Sequence, residues 1–111
     1  YGPDQDFGLK QGVMAPFFGV PAATVTAHRR LLKISKAAAV PLYFYRHGDI
    51  RDPKYHVLIE AAVENMPSDN EIDDATRINK IIENQLRIAP TQYMWFHRRF
   101  KTRPDGYEKI Y

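Results

Sequence analysis

One segment of the sequence has signals that begin a helix at one end and stop it at the other. Residues 68–71 (Ser-Asp-Asn-Glu) form a capping-box pattern, in which the first and last side chains pair with backbone N–H groups of the opening turn. Pro90 lacks the N–H that a helix interior needs and ends the segment. Apolar residues recur between these limits at helical spacing: Ala75, Ile78, Ile82, Leu86 and Ala89. The sequence therefore predicts an amphipathic helix that packs this stripe against a core.

Two strands are predicted before this helix. Residues 38–46 and 55–59 alternate in the manner of half-buried strands, and the intervening residues 47–54 are rich in Gly, Asp and Pro. A β-hairpin is the simplest arrangement of the two. Pro41 cannot donate to a strand ladder, so it indicates an edge position or a bulge in the first strand.

The rest of the chain is less regular. Residues 1–21 contain three Pro and four Gly, which predicts loops around a short extended run at 13–15. A second helix is predicted from Ala22, with Pro21 at its start. A third, short helix is predicted over 91–100. The buried stripe of the second helix is predicted to be Ala23, Ala27, Leu31 and Ile34.

These elements indicate an α/β fold. Their order is that of the second half of an α/β sheet domain, so residues 1–111 are interpreted as a single partial domain, with Tyr1 as the end of an interrupted strand. The chain contains no cysteine, which excludes disulfides, thiolate metal sites and cysteine nucleophiles. No run approaches the roughly 18 apolar residues that a membrane span requires.

Charge is distributed unevenly on a chain whose net charge is only +3. Acidic residues dominate 60–83, whereas basic residues gather at 28–36 and 97–103. Clustered bases indicate local recognition of an anion. In the second cluster, aromatic residues alternate with cations that are predicted to bind lipid phosphate, an acidic protein surface or nucleic acid: Arg98, Arg99, Lys101 and Arg103. A solvated tail is the alternative, and the short segment and the acidic helix disfavour nucleic acid.

Asp4, Gln5 and Asp6 lie between Pro3 and Gly8, where a predicted strand ends. Loops at this end of a strand usually bind the ligand in α/β sheets. The two acids can bind a metal, accept hydrogen bonds from sugar hydroxyls or orient a histidine. The alternative is a turn in which an aspartate caps backbone N–H groups.

His47 and Asp52 have the H-x-x-x-x-D spacing of a histidine base and the carboxylate that orients it. The pair lies in a predicted polar hairpin turn, which is poorly suited to a dry catalytic site, so we interpret it as a decoy. Neither His28 nor His56 has further ligands at a plausible zinc spacing. No metal or cofactor is predicted.

Several blocks together resemble the late acyltransferases of lipid A biosynthesis, the lauroyl and myristoyl transferases of Gram-negative bacteria. The first and last blocks are specific to this family, and the resemblance runs in order along nearly the whole chain. The blocks are residues 3–8 (Pro-Asp-Gln-Asp-Phe-Gly), 15–24 (Ala-Pro-Phe-Phe-Gly-Val-Pro-Ala-Ala-Thr), 39–41 (Ala-Val-Pro), 89–95 (Ala-Pro-Thr-Gln-Tyr-Met-Trp) and 97–104 (His-Arg-Arg-Phe-Lys-Thr-Arg-Pro).

The resemblance implies the C-terminal half of a glycerolipid-acyltransferase-like mixed sheet with flanking helices. It also implies an enzyme at the cytoplasmic face of the bacterial inner membrane that moves a fatty acyl group from acyl carrier protein to a hydroxyl of a lipid A precursor. In that family the His-x4-acid pair and a hydrophobic anchor lie upstream of the first block. The present residues are therefore expected to be inactive alone.

The resemblance further implies roles for the two site candidates. Asp4, Gln5 and Asp6 are expected to bind the acceptor or support the active site. The cations of 98–103 are expected to meet lipid phosphates, Kdo carboxylates or the acidic face of acyl carrier protein. Two alternatives from other classes are a stand-alone basic domain that binds acidic protein or nucleic acid, and a complete enzyme that uses His47.

Overall fold

The computed structural model describes all residues, 1–111. Along the chain lie β1 (Gly12–Phe17), β2 (Val20–Val25), α1 (Ala27–Ser35), β3 (Leu42–His47), β4 (Lys54–Ile59), α2 (Glu71–Ile88) and two 3-10 turns (Pro90–Gln92 and Trp95–His97). The strands form two separate antiparallel hairpins, β1–β2 and β3–β4. The α/β class is confirmed, whereas the wider mixed sheet stays a prediction.

The β1–β2 hairpin turns through only two residues, Phe18 and Gly19. Both have positive φ angles, 50° and 77°, as a type I′ hairpin turn requires. The pairing runs from Phe17 opposite Val20 to Gly12 opposite Val25. The helix predicted from Ala22 is therefore wrong over its first turn, because residues 22–25 are held in β2 and α1 begins only at Ala27.

Helix α2 packs across this hairpin and forms the core with it. Phe17, Ala22, Ile82 and Leu86 are buried together, with Ile78, Tyr93 and Phe100 packed against them. The predicted helix and most of its stripe are confirmed. Its N-cap is Asn70 rather than Ser68, because the Asn70 Oδ1 accepts hydrogen bonds from the N–H groups of Ile72 at 2.9 Å and Asp73 at 3.3 Å.

Helix α1 buries its polar face, contrary to prediction. Leu31 and Ile34 are 53% and 73% exposed, whereas His28 and Arg29 are buried. The reason is a buried ion pair, in which Arg29 Nη1 lies 2.7 Å from Asp74 Oδ2 at the start of α2. Arg29 also donates to the Ser68 carbonyl at 3.0 Å. These contacts decide which face of α1 turns inward.

The β3–β4 hairpin is confirmed at Leu42–His47 and Lys54–Ile59. Pro41 lies just before β3 instead of inside it, and its carbonyl accepts from Glu60 N at 3.0 Å. Tyr43 is buried, whereas Leu42 and Phe44, which alternate with it, are exposed. The hairpin therefore has one face turned toward the rest of the chain and one apolar face turned away.

The helix predicted over 91–100 is wrong. The chain makes two 3-10 turns there, and Arg98 adopts the left-handed conformation with φ 52°. This reversal turns the next residue, Arg99, into the core, where it is 1% exposed. Neither α1 nor α2 combines the length and the apolar composition that a membrane-spanning helix needs.

Candidate functional site

The two predicted sites, the loop of residues 4–6 and the basic segment of residues 98–103, contact each other. The carboxylate of Asp6 accepts hydrogen bonds from the N–H and the hydroxyl of Thr102, both at 2.8 Å, and from Gly8 N at 2.9 Å. Asp6 is 3% exposed. The structure therefore gives Asp6 the turn-capping arrangement weighed as an alternative, and uses it to fix the opening loop to the basic segment.

Asp4 and Gln5 are only partly buried. The Asp4 carbonyl accepts from the Tyr93 hydroxyl at 3.3 Å, and Asp4 also lines an apolar cavity beside the opening loop. Burial and the nearby Asp4 charge raise the pKa of Tyr93 to about 12, so its hydroxyl keeps its proton at neutral pH. An acceptor-binding role for Asp4 and Gln5 stays a prediction.

Arg99 lies inside the protein and joins three elements. Its guanidinium donates to the Ala23 carbonyl at 2.7 Å, to Thr24 Oγ1 at 2.9 Å and to Asn79 Oδ1 at 3.0 Å. It also lies over the Phe17 ring at 5.0 Å from the centroid. Burial lowers the pKa of Arg99, an effect that the charges of Asp6 and Asp4 oppose.

This placement removes Arg99 from the predicted anion-binding cluster. Its charge is directed at β2 and α2, and only the Nε group, also buried, lacks a hydrogen-bond partner. We correct its role accordingly: Arg99 positions the segment around it. A side chain that donates three hydrogen bonds to its own fold is not displayed to an outside phosphate.

The other three cations differ in exposure. Arg98 and Lys101 are exposed, whereas Arg103 is half-buried and donates to the Pro21 carbonyl at 2.9 Å. Arg103 also lies 5.2 Å from the centre of the Tyr107 ring. Arg98 and Lys101 are therefore the members of the cluster that can meet an anion without first breaking contacts of the fold.

His47 and Asp52 lie at the exposed end of the β3–β4 hairpin. The ring of His47 packs on His56, with centroids 4.1 Å apart, and makes neither a hydrogen bond nor an ion pair with Asp52. His47 therefore has no carboxylate that orients its ring, which a histidine acting as a general base needs. No group of three or more His, Cys, Asp or Glu side chains comes together in a way that could hold a metal ion.

Next to the opening loop lies a cavity of about 440 Å³. It is formed by residues 1–4, one side of α1, residues 38–42 and one side of α2, and twelve of its eighteen lining residues are hydrophobic. Its size and composition are those of a small-molecule site, for which about 300–1,000 Å³ is typical. The polar side chains on its wall include Asp4, His28 and Gln85.

His28 is the residue of this cavity that sequence reasoning missed. It is 6% exposed, and neither ring nitrogen has a hydrogen-bond partner. Burial lowers the pKa of His28; the Asp74 carboxylate and the Val25 backbone oppose this shift without meeting the ring in hydrogen-bonding geometry. Burial therefore favours the neutral form of the ring. In the sequence, His28 belongs to a run of basic residues, and this pattern predicted that His28 would lie on an exposed face of the helix.

Comparison with known proteins agrees with the resemblance seen in the sequence. Residues 1–102 match the family described as bacterial lipid A biosynthesis acyltransferase. The chain is 41% identical over 112 residues to the lipid A biosynthesis palmitoleoyltransferase of Escherichia coli (strain K12), an alignment that covers 100% of this chain and 36% of that protein.

Two further relatives show the same pattern. The lipid A biosynthesis lauroyltransferase of Escherichia coli (strain K12) is 38% identical over 112 residues, covering 100% of this chain and 36% of the relative. A lipid A biosynthesis acyltransferase of Haemophilus influenzae is 42% identical over 107 residues, covering 95% and 34%. The chain thus spans about a third of the length of the curated relatives it matches. It belongs to the bacterial lipid A biosynthesis acyltransferase family.

Proposed function

We propose that residues 1–111 form the C-terminal part of an acyltransferase that moves a fatty acyl group from acyl carrier protein to a hydroxyl of a lipid A precursor. The observation that carries this proposal is the family match over residues 1–102. The apolar cavity beside the opening loop supports a lipid substrate, because such a wall favours aliphatic groups over polar ones.

In the proposed reaction, the acceptor hydroxyl attacks the thioester carbonyl, its proton passes to a histidine base, and the carrier thiol leaves with a proton. We place the base and its orienting carboxylate outside residues 1–111, because His47 and Asp52 lack the geometry for these roles. The present residues contribute to the binding of substrates. The Asp6–Thr102 contact holds the opening loop beside the cavity wall that includes Asp4.

The proposal also places the enzyme at the cytoplasmic face of the inner membrane of a Gram-negative bacterium. Arg98 and Lys101 support it, since exposed cations beside aromatic side chains suit an anionic lipid surface. Trp95 and Phe96, which are 47% and 78% exposed, lie on the same segment. We assign the main membrane anchor to a part of the enzyme other than residues 1–111.

A chimaera tests the proposal directly. Residues 1–111 replace the matching segment of the Escherichia coli palmitoleoyltransferase, and transfer of a palmitoleoyl group from acyl carrier protein to a lipid A precursor is measured with the purified protein. We expect a transfer rate within about tenfold of that of the parent enzyme. The two segments are 41% identical in sequence, so the exchange should keep most packing contacts. The matched control is the same chimaera with the segment of the lauroyltransferase.

A chimaera that folds with the parent's circular dichroism spectrum but transfers no acyl group, while the lauroyltransferase control does, contradicts an acyltransferase role for these residues. Binding of generic polyanions by such an inactive chimaera would then favour a basic interaction domain.

A further inference from the structure

Helix α1 turns toward solvent a face that combines apolar and basic side chains. We call it the α1 face. Its members are exposed residues that lie three or four positions apart along the helix, and Lys36 follows directly after the helix: Ala27, Arg30, Leu31, Lys33 and Ile34. Leu31 and Ile34 are 53% and 73% exposed. Neighbouring apolar side chains that are exposed and rimmed by polar ones mark an interaction surface.

The cations of the α1 face have no partner within the protein. Residues 27–36 contain no acidic residue, and Arg30, Lys33 and Lys36 take part in no ion pair. Arg30 also lies among the first four residues of α1, where the helix dipole disfavours a cation. Neither the fold nor the stability of the helix therefore accounts for these charges.

We propose that the α1 face docks the acidic surface of acyl carrier protein. The identity of the partner rests on the proposed function, in which this carrier donates the acyl group. The character of the partner, acidic and partly apolar, follows from the α1 face alone, because charged groups that meet across an interface are complementary in sign.

The size and the position of the α1 face favour a protein over a membrane. The helix has nine residues, a length of about 13 Å, and exposes two large apolar side chains. A helix that lies in a membrane interface buries a wide apolar face instead. Leu31 belongs both to the α1 face and to the wall of the apolar cavity, so a carrier docked here lies next to that cavity.

Protection of lysines tests the surface on the unsubstituted protein. The protein is produced from its own gene at its natural length, and its lysines are acetylated with an N-hydroxysuccinimide ester in the presence or absence of acyl carrier protein without an acyl chain. Mass spectrometry measures the rate at each lysine. We expect the carrier to slow the modification of Lys33 and Lys36 several-fold and to leave Lys54, exposed on β4, unchanged. Unchanged rates at Lys33 and Lys36 would overturn the proposal.

A parallel reaction contains vesicles of phosphatidylcholine mixed with phosphatidylglycerol in place of the carrier. Protection of Lys33 and Lys36 by vesicles but not by the carrier would overturn the proposal and make the α1 face a membrane contact. Protection by the carrier alone supports it.

Two variants separate docking from general attraction between opposite charges. Arg30→Gln combined with Lys33→Gln is expected to weaken carrier binding about tenfold, measured by calorimetry. Ile34→Ser keeps every charge and is expected to weaken it several-fold, because an apolar contact is lost. The matched control is Arg46→Gln combined with Arg51→Gln, which removes two exposed cations outside the α1 face. Equal weakening by the two double variants, together with a neutral Ile34→Ser, would contradict docking on α1.

The docking proposal and the proposed function fail separately. If Arg30→Gln combined with Lys33→Gln binds the carrier normally in an enzyme that still transfers the acyl group, docking on α1 is overturned and the proposed function stands. If the carrier protects Lys33 in a chimaera that transfers nothing, the result counts against the proposed function alone.

Discussion

The carboxylate of Asp6 and the backbone N–H of Thr102 are hydrogen-bonded at 2.8 Å although 96 residues separate them in the chain. The Thr102 hydroxyl adds a second bond at 2.8 Å to the other oxygen of the same carboxylate. Two segments that the sequence analysis treated as separate sites, one acidic and one basic, are therefore one structural unit. Its charged groups divide into those that hold the fold and those that face solvent.

Replacing Asp6 tests the first group. In Asp6→Asn, one carboxylate oxygen becomes an NH₂ group that faces a donor, so a hydrogen bond is lost and a partly buried donor loses its partner. We expect the free energy of unfolding to fall by about 2 kcal/mol, measured by urea denaturation. Asp105→Asn, at an exposed position, is the control and should change it by less than about 0.5 kcal/mol. Equal effects of the two variants would argue against a structural role for Asp6.

Arg99 and Arg98 are neighbours with opposite surroundings, which makes them a matched pair. Arg99→Lys retains the charge but cannot reproduce a guanidinium that donates to Ala23, Thr24 and Asn79 together. We expect a loss of about 3 kcal/mol in the free energy of unfolding, whereas Arg98→Lys should be nearly neutral. Thermal unfolding followed by circular dichroism measures both. A neutral Arg99→Lys would return Arg99 to the solvent-facing cluster.

Local signals in the sequence were enough to predict some elements. The capping-box run 68–71 and Pro90 predicted the two ends of α2, although the N-cap is Asn70 rather than Ser68. The alternation on both sides of residues 47–54 predicted the β3–β4 hairpin. Each of these patterns lies within one element or one turn. Strand β2 of the β1–β2 hairpin was not predicted, because a helix was predicted to begin at Ala22. Ala22 and Ala23 suit a helix as well as a strand, and the decisive signal was the positive-φ turn at residues 18–19, which sequence alone shows weakly.

The site could be predicted only in part, for a different physical reason. Burial of charged residues depends on partners far away in the chain: Arg29 is buried because of Asp74, and Arg99 because of Asn79. A charged residue on its own indicates exposure, so both arginines were assigned to the surface. His28, adjacent to Arg29, was placed on the wrong face of α1 by the same reasoning.

Tyr93 provides a prediction for alkaline pH. Its pKa in the folded protein is about 12, above the ordinary value of 10, so folding favours the neutral phenol. Its contribution to stability is therefore complete below pH 10 and is lost as the pH rises from 10 through about 12. The ultraviolet absorbance of tyrosinate should show a late-titrating fraction that Tyr93→Phe reduces.

Tyr43 gives an internal comparison for this titration, because burial and then Glu60 raise its pKa to about 12 as well. Tyr43→Phe should lower the late-titrating fraction, and the double variant should lower it further. If Tyr93→Phe leaves that fraction unchanged, the phenol of Tyr93 is not held neutral by its surroundings.

Arg98 and Lys101, the exposed cations of the terminal segment, are expected to bind anionic lipid. A basic side chain near an anionic membrane surface is worth about 1 kcal/mol, so Arg98→Gln combined with Lys101→Gln should weaken binding to vesicles of phosphatidylcholine mixed with phosphatidylglycerol roughly 30-fold. The loss should shrink at high salt, because the interaction is screened. Vesicle sedimentation measures the affinity.

Lys80 and Arg87 offer a control of equal charge. Both lie on α2 beside the Glu83 carboxylate, at 3.1 and 3.8 Å, so they face a charge of the protein itself. Lys80→Gln combined with Arg87→Gln should leave vesicle binding within about threefold of the unsubstituted protein, since these cations are already paired. Equal weakening by the two double variants would show that net charge, rather than the position of Arg98 and Lys101 beside the aromatic segment, attracts the membrane.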